Sequence, residues 1–593
     1  MRLNFIQRCN ISPSTLQQGG RIMPFHISRR TLIKAGAALP AGWFFTGPAS
    51  SSHASPAKGL KADVIIAGGG VGGCAAALSA CRLEKKVVLI EPTAWIGGQL
   101  TSQAVPPDEN PWIETFGGTA SYRNFRTRVR DYYRRNYPLT AEAHALAELN
   151  PGNGSVSRLC HEPRVALAVL QEMLAPYMSN GLLAILLHHR PLKAETNGNR
   201  IQSLLVRNEL TGNEMTLEAP FFLDATEMGD LLPLAGVEYV TGTESKKETG
   251  ELHAPEQADP QNMQAFTACF AMEYREGEDH TLDRPAEYDF WRSYIPTLDP
   301  PWAGPLLSLT TTHPITLEKR PMQFDPTVEK TDGPNLWRYR RIIDRKNYAQ
   351  PSRFADVSLV NWPQNDYWLG NLYEVPEEEA HSHLQRAKQL SLSLLYWLQT
   401  EAPRRDGGTG WKGLRLRGDL VGTEDGLAMH PYIRESRRIR AEYTVLEQYV
   451  GKQARAECFG VSQEGISAEV FNDSAGIGYY RIDLHPGSGG KNYIDVESLP
   501  FQIPLGALIP IRVENLLPTA KNLGVTHITN GCYRLHPVEW NIGESAGALA
   551  AWCLQHNWTP REVRNDPSRL AQFQSYLKDT GIPLEWPPEA RVR

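Results

Sequence analysis

The strongest pattern of apolar and polar positions lies near the start of the chain, over residues 61–91. Residues 62–67 are a run of apolar, largely β-branched side chains, which is typical of a strand buried on both faces. A glycine-rich turn follows over residues 68–73, and the alanine-rich residues 74–83 predict a helix. Residues 86–91 predict a second buried strand that ends in a carboxylate. This order predicts a β-α-β unit within a parallel sheet.

Later parts of the chain alternate between helix-like and strand-like patterns. The predicted elements are a helix over 162–178, a strand over 182–187, a hairpin over 201–223 that turns at 211–213, a strand over 221–226, and helices over 377–399 and 543–554. Residues 236–500 differ, because they are rich in Pro, Trp and Tyr and show few continuous strand patterns. We therefore predict an α/β protein with a Rossmann-like nucleotide-binding domain that is split by an inserted domain of mixed α+β structure.

The predicted domain boundaries follow from this division. The segments are a signal peptide over 1–54, three parts of the split nucleotide-binding domain over 61–120, 161–235 and 505–556, a helical insertion over 121–160, a substrate domain over 236–504 and a C-terminal tail over 557–593. Residues 505–556 are assigned to the split domain because they return to the strand-turn-helix order of its first part.

The composition is that of a globular protein, and its charge argues against a nucleic-acid partner. Hydrophobic residues make up 41% of the 593 residues and charged residues 21%, which excludes extensive disorder and a polytopic membrane protein. Residues 1–54 hold six basic and no acidic residues, so the remainder carries 55 Lys and Arg against 66 Asp and Glu, a net charge of −11. Because binding to phosphates needs a basic face, we expect no nucleic-acid partner.

The basic start of the chain has the order of an export signal. Arg29 and Arg30 precede an apolar run over residues 35–45, and small residues follow up to Ala54. The paired arginines with the following Leu-Ile-Lys resemble the twin-arginine (Tat) signal. This resemblance implies export of the already folded protein, with its cofactor, through the Tat machinery to the periplasm or the outside. The apolar run is too short for a stable membrane span.

The cysteines and histidines show no spacing typical of a metal or dithiol site. The eight cysteines include no C-x-x-C pair, so neither a dithiol centre nor an iron–sulfur cluster is expected. His381 and His383 lie two positions apart in a predicted helix and would point in different directions. We therefore expect no metal site.

The turn after the first strand has the spacing of a dinucleotide-binding motif. In Gly68-x-Gly70-x-x-Gly73, the first glycine permits the tight turn, the second lets the backbone approach a diphosphate, and the third lets helix and strand pack closely. The helix N-terminus then offers free N–H groups and its positive dipole end to the phosphates. Glu91, at the end of the second strand, can accept hydrogen bonds from ribose hydroxyls. Together these features predict a bound dinucleotide.

Three further segments resemble the FAD-dependent oxidoreductase family. They are the Gly-Gly loop at 97–102, the segment 223–231, which is similar to a D-A-T-G-D-G-D-L motif, and the segment 515–547, which is similar to an N-L-L…T-H…G-S-x-R-x-x-P…G-E-A-A-G pattern. Similar flavin domains occur in fumarate-reductase-type flavoproteins and in the flavin subunit of heterodisulfide reductase, whose iron–sulfur cysteines this chain lacks. The resemblance implies FAD as the cofactor.

The same resemblance implies particular contacts with the cofactor. Beyond the glycine turn and Glu91, the implied contacts are Gly98, Gln99, Thr226, Asp230, Gly543 and Glu544. Gly543 is expected at a helix start, where backbone N–H groups can face the flavin. Glu227 and Met228 stand where the family often has Gly and Asp, so contacts at those positions differ. A second β-α-β unit with such a glycine turn is missing from the sequence, so we expect no NAD(P)H domain, and we expect O₂, a quinone or a small electron carrier as acceptor.

Two histidines and one arginine are the candidates for chemistry on the substrate. Flavin oxidation of a C–H bond needs a base for the O–H or N–H proton, and histidine, with an ordinary pKa of about 6.5, suits this role. His536 is the first candidate because its motif should run beside the flavin, and His485 is the second. Arg434 and Arg437 would share one helix face, and Arg434 is the candidate clamp for an anionic substrate group.

The sequence therefore predicts an exported FAD-dependent oxidoreductase that oxidises or reduces a small organic substrate by hydride transfer. Two alternatives stay open. One is a flavin-bound hydratase, isomerase or lyase without net redox chemistry, and the other is a flavin-binding protein without catalysis. The sequence does not identify the substrate. Export and the many aromatic residues make a carbohydrate one of the options.

Overall fold

Strands from distant parts of the chain meet in one parallel sheet. The computed structural model describes residues 57–590, so the predicted signal peptide over 1–54 lies outside the described residues.

The helices and strands have the following bounds. Up to residue 234 they are β1 (Ala57–Lys61), β2 (Val64–Ala67), α1 (Val71–Arg82), β3 (Val87–Glu91), α2 (Ala120–Asn136), α3 (Ala141–Ala145), α4 (Pro163–Ser179), β4 (Leu183–Leu187), β5 (His189–Asn197), β6 (Arg200–Asn208), β7 (Glu214–Glu218), β8 (Phe221–Asp224) and α5 (Leu231–Leu234). The middle of the chain contains β9 (Tyr239–Val240), α6 (Lys246–Thr249), β10 (Phe266–Thr267), β11 (Phe270–Tyr274), α7 (Tyr288–Ser293), β12 (Thr310–Thr312), β13 (Lys319–Pro321), α8 (Leu336–Tyr339), β14 (Arg341–Ile343), β15 (Val357–Val360), β16 (Asp366–Tyr367), α9 (Glu377–Thr400), β17 (Leu414–Leu416), α10 (Gly418–Val421), β18 (Arg438–Ile439), α11 (Glu447–Val450), α12 (Lys452–Phe459), β19 (Ser474–Gly478), β20 (Ile482–Leu484), β21 (Ile494–Val496) and β22 (Phe501–Pro504). The last elements are β23 (Leu516–Pro518), α13 (His527–Tyr533), α14 (His536–His556), α15 (Pro560–Asn565) and α16 (Pro567–Asp579).

The central sheet has five parallel strands in the order β23-β8-β2-β3-β4. All residues of β2, β3, β8 and β23 are buried. A strand that is covered on both faces needs apolar side chains on both, which explains the continuous apolar runs in the sequence. In the register, Val64 of β2 lies beside Val87 of β3 and Phe221 of β8. The strands come from all three predicted parts of the split domain, so the Rossmann-like fold is confirmed.

A second sheet of four strands connects β4 to β8, in the order β1-β7-β6-β5. β6 and β7 form the predicted hairpin, which turns at Gly212 with a φ of +72°. β5 was not predicted, because Pro191 and several polar residues interrupt its apolar pattern. It pairs with β6 through an irregular register.

Helix α1 packs against helix α14 so closely that their backbones touch. A side chain at Gly543 would place its Cβ 2.0 Å from the carbonyl oxygen of Gly72, and one at Gly547 would come within 2.4 Å of the carbonyl oxygen of Ala76. Helix α14 begins at His536, seven residues before the predicted start, because Pro537 fits the first turn of a helix. The prediction of a helix start at Gly543 is therefore wrong, and the backbone N–H of Gly543 is used within the helix.

The inserted region is a separate aromatic-rich core built on its own antiparallel sheet. This sheet has the order β14-β15-β11-β17, and the predicted long helix is present as α9. The large buried side chains of this core include Trp291, Trp337 and Trp362, which explains why this region is rich in Trp yet poor in continuous strand patterns. Within residues 57–590, we find no helix that combines the length and the apolar character needed to cross a membrane.

The contact between α1 and α14 predicts the effect of adding one methyl group at Gly543. In an exposed helix, Gly→Ala is stabilising by about 1 kcal/mol. We expect Gly543→Ala to lower the free energy of unfolding by about 1–3 kcal/mol instead, because the methyl group meets the backbone of Gly72. Urea unfolding of the purified protein measures the change. Gly333→Ala is the matched control, since a Cβ there meets only Gln323 Cγ at 4.0 Å; a stabilised Gly543→Ala variant would contradict the packing.

Candidate functional site

The glycine turn lies at the carboxyl edge of the central sheet, between β2 and α1. Gly68 has a φ of +96°, and a Cβ there would lie 2.2 Å from the carbonyl oxygen of Ala225. A Cβ at Gly73 would lie 2.1 Å from the carbonyl oxygen of Gly68. Glycine is required at both positions, because the turn and the first turn of α1 pack against each other and against the loop after β8.

The N-terminus of α1 begins at the glycine turn, and one of its first N–H groups, that of Gly72, donates to Glu539 Oε1 at 3.3 Å. Its N-cap is Gly70, which offers no side chain to the first N–H groups of the helix. An added Cβ at Gly70 would lie 3.0 Å from Glu227 Oε1 and 3.7 Å from Glu539 Oε1. The second glycine of the motif thus leaves room for polar groups beside the helix N-terminus, as a diphosphate requires.

Glu91 is held beside the turn at the end of β3. The backbone N–H of Gly69 donates to Glu91 Oε2 at 2.8 Å, and the N–H and hydroxyl of Thr93 donate to Oε1 at 2.9 and 2.6 Å. Burial raises the pKa of Glu91, and these hydrogen bonds oppose the rise. This carboxylate, next to the helix N-terminus, has the position expected for binding a ribose.

The loop with Gly98 and Gln99 is brought against the turn. Gly98 has a φ of +47°, and its added Cβ would lie 2.9 Å from the Cα of Gly70. The side-chain amide of Gln99 donates to Glu539 Oε2 at 2.7 Å and to the carbonyl oxygen of Arg534 at 3.0 Å. This loop therefore connects the glycine turn to the start of α14.

Thr226 and Asp230 lie in the loop after β8, next to the turn. The hydroxyl of Thr226 donates to Asp224 Oδ1 at 2.7 Å, and the N–H of Asp230 donates to the Thr226 hydroxyl oxygen at 2.6 Å. Arg437 forms an ion pair with Asp230 at 3.3 Å. The polar groups of the loop mainly order the loop itself, and this order places Ala225 against Gly68.

Gly543 and Glu544 face different parts of α1. Gly543 lies against Gly72, since its added Cβ would come within 2.0 Å of the Gly72 carbonyl oxygen. Glu544 forms an ion pair at 2.7 Å with Arg82, the last residue of α1, and accepts a hydrogen bond of 2.5 Å from Ser121. The side chain of Glu544 therefore joins α14 to its neighbours, and a cofactor contact of Gly543 stays a prediction.

A buried lysine lies between two carboxylates next to the turn. Lys521 is fully buried, forms an ion pair with Glu227, and lies 3.5 Å from Glu539 Oε2. Glu539 Oε1 accepts from the N–H of Gly72 at 3.3 Å, while Glu227 Oε1 has no partner among the described residues. Burial lowers the pKa of Lys521, but the two carboxylates outweigh burial and raise it. Lys521 thus offsets part of the negative charge of Glu227 and Glu539 beside the predicted diphosphate position.

These features fit a dinucleotide cofactor. The groups that a diphosphate and a ribose need include a helix N-terminus with a glycine N-cap, glycines at the points of close approach, and a buried carboxylate at the end of β3.

A cavity of about 460 Å³ adjoins the start of α14. Its wall combines residues of the inserted region with residues near α14, and the polar ones include Asp108, Arg320, Arg340, Arg434, Arg481, Asp483, His485, Asp495 and Arg534. Of the two predicted histidines, only His485 lines this cavity.

His485 is held by a buried carboxylate. Its Nδ1 lies 2.6 Å from Asp366 Oδ2, and its Nε2 lies 3.6 Å from Asp483 Oδ2. Arg434 lies 2.9 Å from the other oxygen of Asp366. Burial would raise the pKa of Asp366, but the Arg434 guanidinium and the His485 imidazole outweigh burial and lower it. An ionised Asp366 fixes the His485 ring through its Nδ1–H.

His536, the first predicted base, does not line the cavity. It is fully buried at the start of α14, and its Nδ1 accepts from the N–H of Asp108 at 3.1 Å. Burial, reinforced by the nearby Arg340 charge, lowers the pKa of His536 well below its ordinary value. His536 is therefore neutral and orders the Asp108 loop, which reverses the predicted ranking of the two histidines.

Arg434 and Arg437 do not share a helix face, because residues 431–437 contain no helix. Arg434 points to Asp366, and also donates to the carbonyl oxygen of Ala265 at 2.9 Å. Arg437 instead pairs with Glu374 at 2.6 Å. The predicted helix is wrong, and extended backbone separates the two guanidinium groups.

Several site residues were not predicted. They are Asp108, Arg340, Asp366, Asp483, Lys521 and Glu539. Only Asp483 carried a signal, since it stands two positions before His485. Asp366 lies 119 positions from His485, so no local pattern links the two residues.

The chain is similar to known proteins in sequence and in fold. Residues 63–577 match the family model described as FAD dependent oxidoreductase. Among solved structures, the chain is similar to quinol fumarate reductase of E. coli (10% identity, 88% of this chain and 74% of that chain, TM-score 0.33) and to a geranylgeranyl bacteriochlorophyll reductase-like protein from Thermoplasma acidophilum (9% identity, 88% and 84%, TM-score 0.31). L-proline dehydrogenase from P. horikoshii matches at 16% identity over 32% of this chain, with a TM-score of 0.17, and only 24% of its own length is covered. No curated protein matches the sequence significantly.

The buried ion pairs at the turn predict that Lys521 is needed for stability. We expect Lys521→Met to lower the free energy of unfolding by about 3–5 kcal/mol, because two buried carboxylates lose their only described cationic partner. Urea unfolding followed by circular dichroism measures the loss. The double variant Lys521→Met, Glu227→Gln should recover part of it, since one of the two charges is then removed. Equal stability of Lys521→Met and the unchanged protein would contradict the proposed charge balance.

Proposed function

The chain belongs to the FAD-dependent oxidoreductase family, and from this premise we propose that it oxidises a small organic substrate in the cavity beside His485. FAD is its cofactor. The observation that carries the proposal is His485 in the wall of a cavity that adjoins the start of α14, held from behind by the buried Asp366. A buried carboxylate that holds a histidine beside a ligand cavity is the arrangement of a general base.

The residues that would hold FAD lie at the carboxyl edge of the central sheet. We assign the diphosphate to the turn of Gly68, Gly70 and Gly73, with Gly98 at close approach, and the ribose to Glu91. Gln99, Thr226 and Asp230 order the surrounding loops. When bound, FAD supplies the acceptance of a hydride from a C–H bond. The chain's own residues must then orient the substrate and remove its proton.

His485 is the proposed base. Asp366 accepts the hydrogen bond from Nδ1–H, which leaves the lone pair of Nε2 for a proton of the substrate. When His485 takes up this proton, Asp366 and Asp483 stabilise the positive charge that forms. Arg434, predicted as an anion clamp, acts as a positioning residue because it holds the second oxygen of Asp366.

The electron acceptor is a further proposal. Because we find one β-α-β unit with a G-x-G-x-x-G turn, and the glycines of the same spacing at 408–413 lead into β17 and start no helix, we propose O₂, a quinone or a small electron carrier as the partner that accepts electrons from the reduced protein.

Anaerobic mixing tests the proposed function. We expect the oxidised-flavin absorbance of the purified protein to bleach with a substrate, and the rate of bleaching to fall by roughly 10²–10⁴-fold in His485→Gln, because the base is lost. His280→Gln is the control, since His280 contacts Glu278 outside the cavity wall. Turnover with a flavin that stays oxidised would instead support a hydratase, isomerase or lyase. A flavin that no compound reduces or needs for turnover would support a non-catalytic protein.

We also propose export to the periplasm or the outside through the Tat machinery, after folding and with FAD bound. The support is the Arg29-Arg30 signal and its apolar run. The described cysteines are all free, which agrees with a protein that folds before it reaches an oxidising compartment.

The Tat resemblance predicts that export depends on the paired arginines. Replacing both Arg29 and Arg30 by Lys should leave the protein in the cytoplasmic fraction, because the Tat signal requires the arginine pair. Cell fractionation with an immunoblot gives the readout, and Arg8→Lys with Arg21→Lys is the matched control outside the motif. Unchanged export of the Arg29, Arg30 variant would overturn the assignment.

A further inference from the structure

We propose that the cavity beside His485 binds a sugar ring that carries one carboxylate, that is, a uronic acid. This inference rests on the proposed flavin oxidation and names its substrate class. It is carried by four features of the cavity wall: free tyrosine hydroxyls, paired arginines and aspartates, aromatic rings, and one arginine without an acidic partner.

Three tyrosines of the cavity wall have hydroxyls without partners in the described part of the protein. Tyr339, Tyr480 and Tyr493 line the wall, and their hydroxyls form no hydrogen bond with any described residue. Tyr339 is partly exposed, while burial raises the pKa of Tyr480 and Tyr493, so these two hydroxyls stay protonated. Each can therefore both donate and accept a hydrogen bond, as a ligand with several hydroxyl groups requires.

Arginines and aspartates around the cavity occur in pairs. The pairs are Arg340 with Asp108 at 3.2 Å, Arg434 with Asp366 at 2.9 Å, Arg534 with Asp483 at 3.1 Å and Arg481 with Asp495 at 2.5 Å. A hydroxyl group next to such a pair can donate to the carboxylate and accept from the guanidinium at the same time. An apolar substrate would cover these charges without compensation, which is costly.

Aromatic rings supply the apolar part of the wall. Trp362, Tyr432 and Tyr493 line the cavity together with the charged pairs. The C–H faces of a sugar ring can pack on such rings while its hydroxyls point to the polar groups. This mixture of flat apolar surface and paired charges fits a polyhydroxylated ring better than a linear apolar or a compact acidic substrate.

Arg320 indicates that the ligand is negatively charged. It lies in β13, lines the cavity, and forms no ion pair with any residue in 57–590. Five arginines line the cavity, and the four others each pair with an aspartate, so Arg320 is the one whose charge no described acid balances. A carboxylate on the sugar would form a charge-assisted hydrogen bond with Arg320, whereas a cationic amine would be repelled.

The cavity has room for such a ligand and continues beyond it. Its volume of about 460 Å³ lies within the usual range of ligand pockets, about 300–1,000 Å³. A second cavity of about 540 Å³ shares Pro314, His485, Tyr493 and Asp495 with the first. A group linked to the sugar ring can therefore extend past His485.

The proposed reaction on this substrate balances. At one CH–OH carbon the C–H bond breaks and its hydride goes to FAD, while the O–H proton goes to His485 Nε2 and a C=O bond forms. The sugar loses two electrons and FAD gains two. The product is the keto sugar, or the lactone when the reacting carbon is the anomeric one.

Binding and reduction are tested separately on the full FAD-loaded protein. The probes are D-glucuronate, D-glucose, L-lactate and glycine. Calorimetry measures binding to the oxidised protein, and anaerobic absorbance measures reduction of the flavin. We expect D-glucuronate to bind about ten-fold or more tightly than D-glucose, because a hydrogen bond to a charged group is added. We expect weak or no binding of L-lactate and glycine, and bleaching by the bound sugars.

Variants of β13 test the role of Arg320. Arg320→Gln should abolish the preference for D-glucuronate over D-glucose and leave D-glucose binding unchanged. Arg320→Lys should keep part of the preference. Lys319→Gln is the matched control, since Lys319 is exposed and lies outside the cavity wall. A preference that survives in Arg320→Gln would overturn the assigned carboxylate contact.

The outcomes separate this inference from the proposed function. If L-lactate or glycine reduces the flavin and neither sugar binds, the oxidase or dehydrogenase function stands and the sugar inference is wrong. If D-glucuronate binds with the expected preference but the flavin stays oxidised, the substrate class stands and the proposed oxidation is wrong. If none of the probes binds, the sugar inference is overturned, whatever the flavin does with other compounds.

Discussion

The structure depends on the close backbone contact among the glycine turn, α1 and α14. At Gly68, Gly72 and Gly543, backbone oxygens of neighbouring segments lie where a side chain would begin. The contact joins parts of the chain that are far apart, since the N–H of Gly72 meets Glu539 at a distance of 467 positions. Because protein interiors are close-packed, neither helix can shift without the other. The loops after β2, β8 and β23 are thereby held at one edge of the sheet.

The assigned cofactor site and the substrate cavity both lie near this edge of the sheet. The inserted region leaves the central sheet at the carboxyl end of β8, and the chain returns through β23, whose own carboxyl end leads to α13 and α14 at the same edge. Ligands of open α/β sheets bind at this edge. The same arrangement brings His485 and Asp366, from the inserted region, next to Arg534 at the start of α14. The cofactor position and the substrate cavity are therefore neighbours because of the topology.

Charges at both positions are buried, and their pairing is what makes burial tolerable. Lys521 offsets two carboxylates at the glycine turn, and four arginine–aspartate pairs surround the cavity. Removing one member of a buried pair costs several kcal/mol, since the other charge is left uncompensated. Arg320 differs because no described acid pairs with it, which leaves its charge for a ligand.

The sequence by itself determined the β-α-β unit, the glycine spacing of 68–73, the hairpin and the FAD family, because each of these is written in local periodicity or in short motifs. It misplaced the start of α14, predicted a helix at Arg434 and ranked His536 above His485. Only the tertiary structure showed that His536 is fully buried and that Asp366 orients His485. Burial and contacts between residues more than a hundred positions apart leave no local pattern, since they arise only when the inserted region packs against the start of α14.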